Sequence, residues 1–177
     1  MKNIYILLTH SGTIPSRLVK LYTGNEYSHV SISLKKELNE FYSFGRKKLY
    51  NPFNGGFIIE SKNSTFYKRF KNTKCVLLKL NVTKKQYIEI DKIINKYKNN
   101  TNIYRYDFLG IIFRLIRIKI NRKNYMYCTK FVREVLEIAN VYNFKKRFVS
   151  PDEFMNIPNA KIIYSGKLLR YVWKKSF

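Results

Sequence analysis

Histidine, cysteine and acidic residues are the scarce components of this chain. Only two histidines, His10 and His29, and two cysteines, Cys75 and Cys128, occur in 177 residues. Two cysteines do not make a disulfide framework, and these two lack the spacing of a metal site. With histidine this sparse, a zinc cluster is excluded as well. The seven glycines form neither a phosphate-cradling loop nor a dinucleotide-type motif. No metal and no cofactor is therefore expected. No apolar run reaches the length of a membrane span, about 18 residues or more. The apolar start over residues 4–8 lacks the longer core and small-residue cleavage site of a signal peptide. It reads as a buried first strand, and the cytoplasm is the default location, with association at a membrane surface left open.

Acid is scarce in absolute terms too. Asp and Glu number 11 against 35 Lys and Arg, a net charge of +24. Such a field favours anionic partners: nucleic acid, anionic lipid headgroups or acidic polymers. A lysine-rich, solvated surface without a dedicated partner accounts for the charge equally well. No helix-turn-helix, zinc or ribonucleoprotein-type motif is present, which disfavours nucleic acid. Hydrophobic residues make up 45% of the chain and aromatics 16%, a globular composition. The length suits one domain over residues 1–177, and no repeat, linker or low-complexity segment interrupts it.

Taken in order, the pattern reads as follows. Residues 4–8 form a strand, 10–13 a turn, and 14–22 a short helix with Pro15 in its first turn. Residues 27–34 alternate, with Ser28, Val30, Ile32 and Leu34 on one face and Tyr27, His29, Ser31 and Ser33 on the other. Residues 40–45 are the hairpin partner, 51–56 a loop by their turn residues, and 57–60 a short strand. Residues 74–80 are β-rich, with Cys75 in the core. Thr83 and Gln86 form a capping box, and Tyr87, Ile90, Ile94 and Tyr97 then recur at helical spacing to about Lys98. Asp107 can cap a further apolar helix over 108–113. Residues 114–123 mix Arg and Lys with Leu and Ile, either an amphipathic face for a membrane or a solvated helix end. Ser150 to Glu153 is a second capping box, and 161–163 and 168–173 read as closing strands. The class is α+β, a mostly antiparallel sheet with helices packed against it.

Chemistry concentrates at Cys128. It opens a helix whose apolar residues Phe131, Val132, Val135, Leu136 and Ala139 share one face. A thiol at a helix N-terminus meets unpaired N–H groups and the positive end of the dipole, and both favour the thiolate. The competing reading is a buried, inert cysteine. His29, on the polar face of its strand, is a base that could pair with such a thiol, taking its proton and returning it to a leaving group. A third polar group normally fixes the imidazole. Ser43 on the neighbouring strand is the first choice, and Glu60 is the alternative. His10 and Ser11 end the first strand and read as structural, while Tyr127 suits either a cleft wall or the core.

Together these segments resemble the permuted papain-like cysteine peptidase fold, the NlpC-type superfamily in its YiiX/YaeF-like branch, to which lecithin retinol acyltransferase is distantly related. Tyr27-Ser28-His29-Val30-Ser31-Ile32 resembles the branch's histidine strand. Tyr106-Asp107-Phe108 resembles its Tyr-Asp segment, and Tyr127-Cys128-Thr129-Lys130-Phe131-Val132 its cysteine helix. Histidine preceding cysteine is the permuted order. The resemblance implies Cys128 as nucleophile, His29 as general base and the Cys128 N–H as part of an oxyanion hole. It implies a cysteine hydrolase or acyltransferase acting on an amide or ester, in a wall peptide or a lipid, through a thioester. Where the branch often carries Glu as the third residue, Ser43 stands here, a weaker partner for imidazolium. The alternative expectations are a catalytically weak binding protein of the same fold that recognises an anionic lipid or polymer, and a nucleic-acid binder.

Overall fold

The computed structural model describes residues 1–13, 16–17, 20, 24–48, 51–107, 109–111 and 122–173. Most of the helix expected over 14–22, much of the one over 108–113, and nearly all of the basic stretch 114–123 lie outside them. Among the described residues, a single sheet of eight strands runs in the order β7-β6-β4-β3-β2-β1-β5-β8. The strands are β1 (Lys2–His10), β2 (His29–Ser33), β3 (Phe41–Lys48), β4 (Asn51–Glu60), β5 (Lys74–Val82), β6 (Arg105–Tyr106), β7 (Tyr125–Met126) and β8 (Lys161–Lys167). Neighbours are antiparallel except β6 with β7. The helices bounded within the described residues are α1 (Thr65–Arg69), α2 (Lys84–Asn99) and α3 (Cys128–Ile138), with 3-10 turns at Pro151–Asn156 and Leu168–Arg170; residues 16–17, 20 and 109–111 are helical as well. The fold is α+β.

β1 explains its own continuous apolar run, because it is interior to the sheet and covered on both faces. Ile4, Ile6 and Leu8 join the larger core with α2 and α3. Tyr5 and Leu7 join a smaller core with Tyr67 of α1 and Leu168. β2 follows the alternation, with Val30 and Ile32 in the larger core. Its polar face is buried rather than wet: Ser31 and Ser33 are fully covered. α2 starts at its capping box, with Gln86 N–H donating to Thr83 Oγ1 at 3.2 Å and Thr83 N–H to Gln86 Oε1 at 2.9 Å. α3 buries the expected stripe. Phe131 is fully enclosed, its ring 5.5 Å from Phe44, 5.6 Å from Phe57 and 5.2 Å from Tyr97. Burying a side chain of that size contributes about 1.5–3 kcal/mol, and it fixes the start of α3 against the sheet.

Two expectations are corrected, and one element goes unannounced by the sequence. Residues 51–56 are not a loop but the first part of β4, paired with β3. Their glycines mark a close approach, since a Cβ on Gly55 would stand 2.6 Å from Tyr106 Cβ. Residues 168–173 do not close the sheet. The strand is β8, and Leu168–Arg170 turns away as a 3-10 helix that buries Leu168. The short helix α1, capped by Ser64, carries no apolar periodicity long enough to announce it. Among the described residues, no helix is long and apolar enough to cross a membrane.

Candidate active site

β2 and β4 deliver the polar centre. The His29 Nε2–H donates to Glu60 Oε2 at 3.0 Å. Ser31 Oγ, two residues along the same face as His29, donates to that oxygen at 3.1 Å and stands 3.3 Å from His29 Nε2. Tyr67 OH, from α1, donates to Glu60 Oε1 at 2.8 Å. The carboxylate is thus held by three side-chain donors on both of its oxygens. Cys128, the first residue of α3, is 8% exposed and near enough to the same imidazole to raise its titration.

The electrostatics follow from this packing. Burial pushes the imidazole of His29 down, but the Glu60 charge, the proximity of Cys128 and the hydrogen bond donated to Glu60 outweigh it and raise the group to about 10. Burial pushes Glu60 up, yet the charge and hydrogen bond of His29, with those of Tyr67 and Ser31, leave it below the usual carboxylate range. His29 is therefore an imidazolium at neutral pH. Burial and then the Glu60 charge raise the Tyr67 phenol well above its ordinary value, so it remains a donor.

Ser43, the first choice from the sequence for the third polar group, is corrected. It is fully buried and its hydroxyl donates to the Val30 carbonyl at 2.7 Å. The pair Ile32–Tyr42 sets an antiparallel register in which His29 faces Gly45, and a Cβ on Gly45 would lie 3.8 Å from His29 Cε1. The neighbouring strand therefore offers the imidazole a glycine, and the partner comes from β4, where Glu60 is the last residue. Sequence reasoning did not assign Tyr67 or Ser31. The strand alternation could have found Ser31, whereas nothing in the sequence marks Tyr67.

The other candidates fall nearby. His10 Nδ1 lies 3.0 Å from Ser16 Oγ, which lies 2.7 Å from Ser28 Oγ. Burial, then Lys20, Lys74 and Arg17, lower His10 below its ordinary value, which favours the neutral ring. Tyr127 is the N-cap of α3 and gives it no side-chain cap. Cys75 is buried in the smaller core, and burial pushes its thiol up to about 12. Asp107 accepts from Gly110 N–H and from Arg122 Nη1, each at 3.0 Å, consistent with a cap. A cleft of about 520 Å³ opens over His29 and Glu60, with Thr9, Tyr67 and Tyr106 also in its wall. Among the described residues, no group of three or more His, Cys, Asp or Glu side chains is placed to hold a metal ion.

An α+β chain with an eight-stranded sheet, and a histidine, a carboxylate and a helix-opening cysteine in contact, defines a class that can be matched by shape. The crystal structure of metalloprotein YiiX from Escherichia coli O157:H7 is similar over 94% of this chain and 98% of that one, with a TM-score of 0.60 and 14% identity. At that identity the likeness shows the fold, which is YiiX-like. No protein-family model and no curated protein sequence matches the chain.

Proposed function

We propose that this protein is a cysteine hydrolase or acyltransferase of the permuted papain-like kind, with Cys128 as nucleophile, His29 as acid–base and Glu60 as the group that orients His29. The observation that carries this reading is one imidazole hydrogen-bonded to a carboxylate at 3.0 Å, with a thiol at a helix start near enough to raise its titration. Glu60 occupies Nε2, so Nδ1 is the nitrogen that exchanges a proton with sulfur. That proton resides on His29 in the resting site. The thiolate attacks the carbonyl carbon of an amide or ester, and the S–C bond forms as the carbonyl becomes an oxyanion. N–H groups of the first turn of α3 face the developing charge. The C–N or C–O bond then breaks, and His29 gives its proton to the leaving amine or alcohol. Water, or a hydroxyl or amine acceptor, attacks the thioester and gives a proton to His29, and the S–C bond breaks. The acceptor decides whether the outcome is hydrolysis or acyl transfer. A wall peptide and a lipid ester both suit this chemistry.

The solved neighbour is described as a metalloprotein. The donors here do not fit that role: His29 Nε2 and Glu60 Oε2 are committed to each other at 3.0 Å, and Glu60 also accepts from Tyr67 and Ser31.

The test is the pH dependence of alkylation at Cys128, located by peptide mass, in the parent chain and in His29→Ala. Reaction well below the ordinary cysteine value of about 8.5, lost without His29, is the expected result. Incubation with p-nitrophenyl acetate should then add one acetyl group to Cys128 and release nitrophenol. A profile identical in the two chains would falsify the Cys–His chemistry. The second reading, a catalytically weak binding protein of this fold, draws on the low exposure of Cys128, and it predicts no acetylation.

A further inference from the structure

The cleft over His29 carries two further cations, Arg46 and Lys47, and Glu60 is the one carboxylate in its described wall. That carboxylate is already paired with His29. Successive residues of a regular strand point to opposite faces, yet the cleft takes in successive residues of both strands, Gly45 to Lys47 of β3 and Phe57 to Glu60 of β4. Just beyond Arg46, β3 also loses its register. Arg46 pairs with Gly55, whereas Lys48 pairs with Asn51, which sets residues 52–54 against Lys47 alone. An irregularity of this kind bends the strand and re-aims its side chains.

The same segment abuts the reacting groups. Gly45, next to Arg46, lies against the His29 ring. Gly55, opposite Arg46, leaves room for Tyr106. Burial and then Cys128 raise the Tyr106 phenol while Arg46 lowers it, so one ring senses both the sulfur and the guanidinium. Apolar side chains, among them Phe57, Ile58 and Phe66, line other parts of the cleft.

We propose that Arg46 and Lys47 form an anion-recognition subsite, and that the natural acyl donor carries a carboxylate or phosphate close to the bond that Cys128 attacks. A guanidinium offers such a group a planar fork of donors, and the lysine adds a mobile point charge. The proposal rests on the Cys128 chemistry above and names its substrate class.

Two nearly isosteric alkylating agents test it without turnover. With iodoacetate or iodoacetamide the sulfur displaces iodide, forming one S–C bond and breaking one C–I bond; only iodoacetate is charged. The ratio of the two rates at Cys128 should exceed that of glutathione by about tenfold, the scale of a charge-assisted hydrogen bond. It should collapse in the double variant Arg46→Gln with Lys47→Gln and fall in part in Lys47→Gln, a change at an exposed position that leaves folding intact. Lys84→Gln with Lys161→Gln removes the same two charges from exposed sites elsewhere and should leave the ratio in place. Protection by inorganic phosphate marks a soluble anion as the occupant. Protection only by phosphatidylglycerol vesicles, and not by phosphatidylcholine vesicles, marks a lipid headgroup. A parent ratio equal to that of glutathione, or one that falls equally in the control, overturns the subsite whatever His29 does. Loss of His29 dependence with the ratio intact overturns the enzyme reading instead.

Discussion

Glu60 and Ser43 were both open from the sequence as partners of His29, and at the residue scale they now predict opposite phenotypes. Glu60→Gln removes the charge that raises His29. Reactivity of Cys128 below pH 7 should drop about tenfold or more, because an adjacent opposite charge moves a titration by about one to three pH units. Ser43→Ala should leave the reactivity profile in place and cost about 1–2 kcal/mol in urea unfolding, through a lost buried hydrogen bond. The reverse pattern would sink the assignment of Glu60. The pair also sets a pH window for stability. His29, raised from 6.5 to about 10, contributes fully below 6.5 and loses that contribution as pH rises toward 10. Glu60, lowered from 4.5, contributes above 4.5 and loses it on acidification. The pair's contribution should therefore be fullest between about pH 4.5 and 6.5. Thermal melts from pH 6.5 to 10 should fall more steeply in the parent than in His29→Gln. The cysteine and the histidine were legible because each combined a rare residue type with a clear period. Glu60 was ranked second because only tertiary register shows that β3 turns Gly45, not a polar side chain, toward His29.

Elements whose periodicity is long were readable, and those shaped by contact were not. β1, β2, α2 and α3 follow from their apolar spacing and, for α2, from its capping box. The first part of β4, residues 51–56, was misread because Asn, Pro and Gly usually mark turns. Here Gly55 is required where Tyr106 of β6 crosses, and Gly55→Ala should destabilise the chain by about 1–3 kcal/mol as this contact is forced apart. α1 is too short to show a period, yet it carries Tyr67 into the smaller core. Tyr67→Phe keeps ring packing on Phe41 and Phe66 but removes the donation to Glu60 Oε1. A loss of about 1.5–3 kcal/mol in unfolding free energy is expected, with Glu60 less firmly ionised. An unchanged midpoint would mean that the hydroxyl is not needed to hold the carboxylate.

For the whole molecule, +24 is a self-repulsion as well as an attraction for anions. Thirty-five cations against 11 acids oppose compaction at low ionic strength, and salt relieves this by screening charges separated by more than a Debye length, about 10 Å at 0.1 M. The melting temperature should therefore rise between about 0.01 M and 0.5 M sodium chloride. The His29–Glu60 pair sits 3.0 Å apart with side chains 23% and 15% exposed, a geometry that salt screens much less. Its effect on Cys128 should persist, so the pH profile of Cys128 alkylation with neutral iodoacetamide should barely move over the same range. The iodoacetate preference at Arg46 and the exposed Lys47 should weaken with salt. Three responses to one variable then separate three electrostatic layers: the diffuse surface field, the cleft cations and the buried pair. If the iodoacetamide profile shifted along with the melting temperature, the reactivity of Cys128 would belong to the diffuse field rather than to His29 and Glu60.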